Sequence, residues 1–181
     1  MHRALTFADK NFDHAIPPAG FLDAADKAIL RGIEEQWKRV GQNLEYVHLK
    51  DAMKEALQLA RLGNQYFDQK APWDLIRRDR NACATALHVS LRIARSLALT
   101  MAPFLPFSSQ RLWHALGYDS NVHDQRWEVA LEDVPTGQRL RVGRPLFAKI
   151  ESEAPNVEAP DAAFDLRIAK ILDVRDHPNA D

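Results

Sequence analysis

Seven histidines, His2, His14, His48, His88, His114, His123 and His177, are the first place to look for catalysis or metal binding in this 181-residue chain. No two of them stand three or four residues apart with a carboxylate partner, so the usual zinc-ligand spacing on a helix is absent. The seven glycines are scattered and form no phosphate-cradling loop. Neither a G-x-S-x-G nucleophile elbow nor an H-E-x-x-H pair occurs. Aspartates and glutamates are spread over helix faces, where solvation and i,i+4 pairing account for them. The single cysteine, Cys83, can make neither an internal disulfide nor a cysteine-rich zinc site, which fits a reducing compartment. This reading leaves no catalytic residue, no cofactor site and no metal site, and it points to a binding module.

The residue best placed for binding is Trp73. It follows Ala71-Pro72, where proline cannot donate to a helical ladder and pushes its predecessor out of the α region. A tryptophan just past a helix end can offer an indole face to an unstacked base. Alternatively it plugs the core against Leu75 and Ile76, as most tryptophans are largely buried.

The elements that must position Trp73 are helical. Apolar residues at Ala4, Leu5, Phe7, Ala8 and Phe12 predict a helix over 2–12, which opens without an N-cap, as if inside a longer helix. Asp23 is suited to cap a helix over 24–44 with the stripe Ile29, Ile33, Trp37, Val40 and Leu44. A third helix, 49–70, has the predicted stripe Met53, Ala56, Leu57, Ala60, Asn64 and Phe67, with Asn64 its polar member. A fourth, 80–102, capped by Asp79 or Asn81, is apolar over much of its circumference and belongs in the middle of a bundle. Pro103 and Pro106 stop it. Ser108 or Ser109 starts a short fifth helix, 108–116, closed by Gly117. The alternations Trp127, Val129, Leu131 and Leu140, Val142, Leu146 suggest a small hairpin or an extended wrap. The expected fold is all-α, a bundle of about five helices with a small irregular or extended C-terminal segment.

Charge divides the chain. Residues 151–181 hold three Lys+Arg against eight Asp+Glu, leaving 1–150 at +4 within a total of −1. Any nucleic-acid contact is therefore local rather than a broad basic surface. We read 1–150 as the bundle, 151–163 as an acidic Pro/Ala linker and 164–181 as strand-like. The opening MHRALTFADKNF has no apolar secretory core, and no apolar run reaches bilayer-spanning length, so a membrane is not expected and the cytoplasm is.

Asn64-Gln-Tyr-Phe-Asp-Gln-Lys-Ala-Pro-Trp73 resembles the N-x-Y-[FV]-D-x-x-A-P-W stretch of the methionyl-tRNA synthetases. Met101-Ala-Pro-Phe-Leu-Pro-Phe-Ser108 is similar to that family's A-P-F-L-P-F-[ST] turn. His2–Asp13 resembles the helix opening its anticodon-binding domain, where an Asn-x-x-x-Arg pair reaches anticodon bases. Only the arginine falls in this chain, as Arg3. The resemblance implies a CAU-anticodon-binding domain for methionine tRNA, with Arg3, Asn64, Pro72 and Trp73 as site residues. It also implies that 164–181 is the truncated first strand of an appended tRNA-binding OB-fold domain, through which the parent enzyme forms a homodimer. ATP, and zinc if used, belong by the same resemblance to a catalytic domain whose signatures this chain lacks. Two other readings stand beside it: the anticodon domain of a leucine, isoleucine, valine or cysteine enzyme of the same class, and a helical protein-interaction module. Lying near the start of the first predicted helix and just past the end of the third, Arg3 and Trp73 fall at opposite poles in simple up-down alternation. The resemblance requires them to meet.

Overall fold

In the computed structural model the described residues are 1–147. They form helices α1 (His2–Asn11), α2 (Ala24–Glu45), α3 (Leu49–Lys70), α4 (Pro72–Arg78), α5 (Arg80–Thr100) and α6 (Pro106–Ala115). Two 3-10 turns, Val122–Asp124 and Trp127–Leu131, follow. The all-α bundle expected from the sequence is what the chain adopts, with no strand among the described residues. The expected linker, 151–163, and the strand-like 164–181 lie outside them.

The core is organised on α5. From Cys83 to Thr100 almost every side chain is buried, and the helix touches α1, α2, α3, α4 and α6. Burial holds the Cys83 thiol protonated, pushed up to about 11. Asp79 caps α5 by accepting the Asn81 and Ala82 amides at 3.0 and 2.9 Å. Among the polar residues of this helix, His88, Arg92 and Arg95 fall at i, i+4 and i+7 and hold the surrounding chain. His88 bridges the Pro17 carbonyl and the Asp133 carboxylate, each at 2.8 Å. Arg92 donates to the Leu131 carbonyl at 2.8 Å and Arg95 to that of Asp133 at 2.6 Å. A reading of α5 as apolar overlooks this polar row, though its spacing is visible in the sequence.

Helices α2 and α3 form an antiparallel pair, with Arg39 beside Glu55 at one end and Asp23 beside Lys70 at the other. The predicted α3 stripe is displaced. Its buried face is Ala52, Ala56, Leu59, Gly63, Tyr66 and Phe67, while Met53 and Leu57 are over one-third exposed and Asn64 is exposed. Small residues at 52, 56 and 63 let neighbouring backbones approach, and the larger apolar residues flank that seam. At Gly63 an added Cβ would come within 2.8 Å of Ile93 on α5.

Two prolines act as starters rather than stops. Pro106 is the first residue of α6, with Leu105 at the cap in place of Ser108 or Ser109. Its fixed φ and missing N–H suit that position. Gly117, at φ +96°, closes α6 as expected. An added Cβ there would meet the Arg139 carbonyl at 2.1 Å. The Trp127–Leu131 alternation is a 3-10 turn that buries Val129 and Ala130, not a strand. Residues 138–142 do form an extended wrap, pairing with Ala15–Ile16 through Ile16 N–H to Gln138 O at 2.9 Å.

Candidate nucleic-acid interface

The C-terminus of α3 shows how Trp73 is presented. Ala71 adopts the left-handed region at φ 43° and breaks α3. Pro72 then opens α4, a helix the sequence reading omitted, and Trp73 is its second residue. Pro72 is buried, so little of it is open to a base, and it stands at the head of the helix that carries Trp73. Leu75 and Ile76 pack on the core cluster, and the indole is left 40% exposed. Its N–H finds no protein acceptor among the described residues.

Arg3 reaches this indole. Its guanidinium carbon lies 5.5 Å from the Trp73 ring centroid and 5.0 Å from that of Phe67. The two rings are 6.0 Å apart and tilted by 58°. The topological objection is met by the path of α1. Met1 lies against Gly63, Arg3 against Phe67 and Asp68, and the Asn11 carbonyl accepts from Arg80 at 2.6 Å. So α1 runs parallel to the last turns of α3 instead of pairing antiparallel with α2. The long connection 12–23 makes that possible.

Asn64 and Asp68, one turn apart, line the same edge of α3. The Asn64 Oδ1 is 3.5 Å from the Met1 amino group. Asp68 pairs with Arg3 at 3.0 Å, with both side chains more than half exposed. Such an exposed pair is worth about 0–1 kcal/mol, so it orients Arg3 without locking it away from a ligand. Structure thus brings Arg3, Asn64 and Trp73 to one edge and withdraws Pro72. It adds Phe67 and Asp68, which lie inside the sequence motif but carried no assigned role.

A polar network fixes the pole that carries this edge. Asp23 and Asp26 form a capping box on α2. The buried Asp26 carboxylate accepts from the Tyr66 hydroxyl at 2.6 Å and from Lys70 at 2.6 Å. The Lys70 hydrogen bond, the Asp26 amide and the Lys70 charge hold the Asp23 carboxyl down at about 2. Burial, with the Asp26 hydrogen bond second, pushes the Tyr66 phenol far above its ordinary range. The ends of α2 and α3 are therefore bound together just below Phe67 and Trp73.

A guanidinium held over two aromatic rings can offer hydrogen-bond donors beside a stacking face, which is chemistry suited to an unpaired base rather than to bond breaking. Among the described residues no group of three or more His, Cys, Asp or Glu could hold a metal ion. Bundle and edge together have the build of a helical nucleic-acid-binding module.

Comparison with known proteins makes this particular. Residues 16–163 match the family described as the anticodon binding domain of methionyl tRNA ligase. The methionine–tRNA ligase of Pyrococcus horikoshii is 37% identical over 153 residues, 84% of this chain and 20% of that protein. That of Thermomicrobium roseum is 47% identical over 118 residues, 65% of this chain and 20% of that one. The solved apo methionyl-tRNA synthetase of Mycobacterium tuberculosis superposes with a TM-score of 0.75 at 25% identity, covering 82% of this chain and 30% of that one. The chain belongs to the family of methionyl-tRNA ligase anticodon-binding domains. It spans about a fifth of the length of these curated relatives. This assignment displaces the interaction-module reading and that of a leucine, isoleucine, valine or cysteine enzyme.

Proposed function

We propose that this domain holds the CAU anticodon of methionine tRNAs for a longer methionine–tRNA ligase. The observation that carries the reading is Arg3 seated over Phe67 and the exposed Trp73 indole. An unstacked anticodon base lies on the free indole face, and Arg3 turns its planar fork from Asp68 to the edge of a base. Asn64 supplies an amide donor and acceptor on the same edge. Pro72 sets the platform and touches no base.

The ligation of methionine to tRNA, with its ATP, and zinc if used, is assigned to a catalytic domain outside this chain. Dimerisation of the parent is assigned to the appended OB-fold domain that 164–181 would begin. The site of action is the cytoplasm; among the described residues no helix is long and apolar enough to cross a membrane.

Filter binding of methionine tRNA against valine tRNA tests the reading. The 181-residue chain should prefer methionine tRNA, and the preference should move with the anticodon when CAU is transplanted into valine tRNA. Equal retention of both tRNAs contradicts it.

A further inference from the structure

Across α1 from Arg3 lies a second basic feature that the anticodon reading does not use. A cleft of about 260 Å³ is walled by His2 of α1, by Arg111 and His114 of α6, and by Arg141 and Arg144 of the extended wrap. None of the residues lining it is an aspartate or a glutamate. We propose that this cleft is a phosphate-binding site, and that in the working protein it takes a backbone phosphate of the bound tRNA. The inference rests on the tRNA reading above.

The charges are held but not neutralised. Arg111 donates to the Leu146 carbonyl at 3.0 Å and to the Ser108 hydroxyl at 3.2 Å, so its partners are uncharged. Arg144 is exposed and has no ion pair among the described residues. Among the described residues only Arg141 of these has a carboxylate partner, Asp119, which it grips with both terminal nitrogens. His114 donates from Nδ1 to the Tyr118 carbonyl at 2.8 Å, while Gln110 is 2.8 Å from Nε2. The ring is thereby fixed as part of the wall. Among the described residues Arg111 and Arg144 are left as the two forks with no charged partner, and a fork matches a phosphate oxygen pair in geometry.

Placement favours a polynucleotide as the source of that phosphate. His2 faces the cleft while Arg3, the next residue, faces Trp73. The two sites are therefore separated by the body of one helix, about 10–12 Å, which a few nucleotides bridge. Leu140 is buried and Val142 half-buried, while Arg139, Arg141 and Arg144 are exposed, so the wrap turns its apolar side inward and an arginine row outward. Contacts of this kind set register and affinity without reading sequence.

The experiment is the salt dependence of methionine tRNA binding by the whole chain, wild type against Arg144→Gln and against the double variant Arg111→Gln/Arg144→Gln. Each lost phosphate contact should flatten the log–log slope by about 0.7–0.9, and affinity should fall equally for CAU and scrambled anticodons. Arg144 makes no hydrogen bond to the described protein, so its single variant keeps the test valid even if the double variant folds poorly. An unchanged slope in Arg144→Gln overturns the assignment to tRNA. A titration with inorganic phosphate, read from the imidazole resonances of His2 and His114, separates the other source. A saturable response with an unchanged slope moves the site to free phosphate and overturns the backbone assignment; no response and no slope change overturns the site itself. The anticodon reading fails separately: Trp73→Ala leaving discrimination intact while Arg144→Gln flattens the slope would remove the first and keep the second.

Discussion

Trp73 and Trp113 are the same residue type in one bundle, yet they have opposite environments. Trp113 is 1% exposed, stacks on Tyr118 at 4.0 Å and donates its indole N–H to Ser120 Oγ at 3.0 Å. Trp73 is 40% exposed, lies tilted against Phe67 with the Arg3 guanidinium beside it, and its N–H has no protein acceptor among the described residues. Every bonding capacity of the first is spent inside the protein. Those of the second are left open on a rigid mount, with Pro72 buried beneath it. A tryptophan is a binding residue when the fold satisfies its position but not its surface.

The largest expected effect lies on the buried side of that comparison. Trp113→Ala should lose about 3–5 kcal/mol of stability, read as a lower urea midpoint. A loss as small as that of a surface substitution would erase the distinction between the two sites. Next comes Trp73→Ala, which should weaken anticodon stem-loop binding by about 1–3 kcal/mol.

The α2 cap beneath the site should be smaller and dependent on pH. Asp23→Ala should cost about 1 kcal/mol near neutrality through the lost cap. The folded Asp23 carboxyl sits at about 2, below its ordinary value of 3.8. Its contribution is therefore present above about pH 4 and is lost as pH falls toward 2. Asp133 has the same sign: burial would raise its carboxyl, but the hydrogen bond and charge of His88, the Val134 amide and Arg92 hold it below its ordinary value. Wild type should shed stability through this acid window, and Asp23→Ala should shed less. Parallel acid limbs would contradict the network. Smallest of all, Arg3→Ala should change stability by no more than about 1 kcal/mol, because its pair with Asp68 is exposed. A larger drop in melting would make Arg3 a structural residue.

Much of the site was legible because its signals are local. Pro72-Trp73 at a helix end allowed either an exposed indole or a core plug, and the resemblance of the motif and of the opening helix to the family decided for the indole and brought in Arg3. The meeting of the two was not legible from alternation, since it depends on α1 lying parallel to α3 after a long connection. Asp26 also escaped notice. As the third residue of a helix it reads as an ordinary N-terminal carboxylate, and its partner Tyr66 is 40 residues away. On α3 the period was right but the phase was not, because alanines and a glycine form the seam and a hydrophobicity stripe favours the bulky flank. Prolines at 72 and 106 were read as stops because the same fixed φ serves both ends of a helix, and only the chain on either side decides which.

The central claim, that Trp73 is a stacking platform and not a core plug, is tested most directly by one paired measurement on Trp73→Ala: its melting temperature and its binding to CAU and scrambled anticodon stem-loops at one salt concentration. The account predicts melting close to wild type with discrimination between the loops lost. A variant that melts early, yet separates the two loops normally when folded, would contradict it.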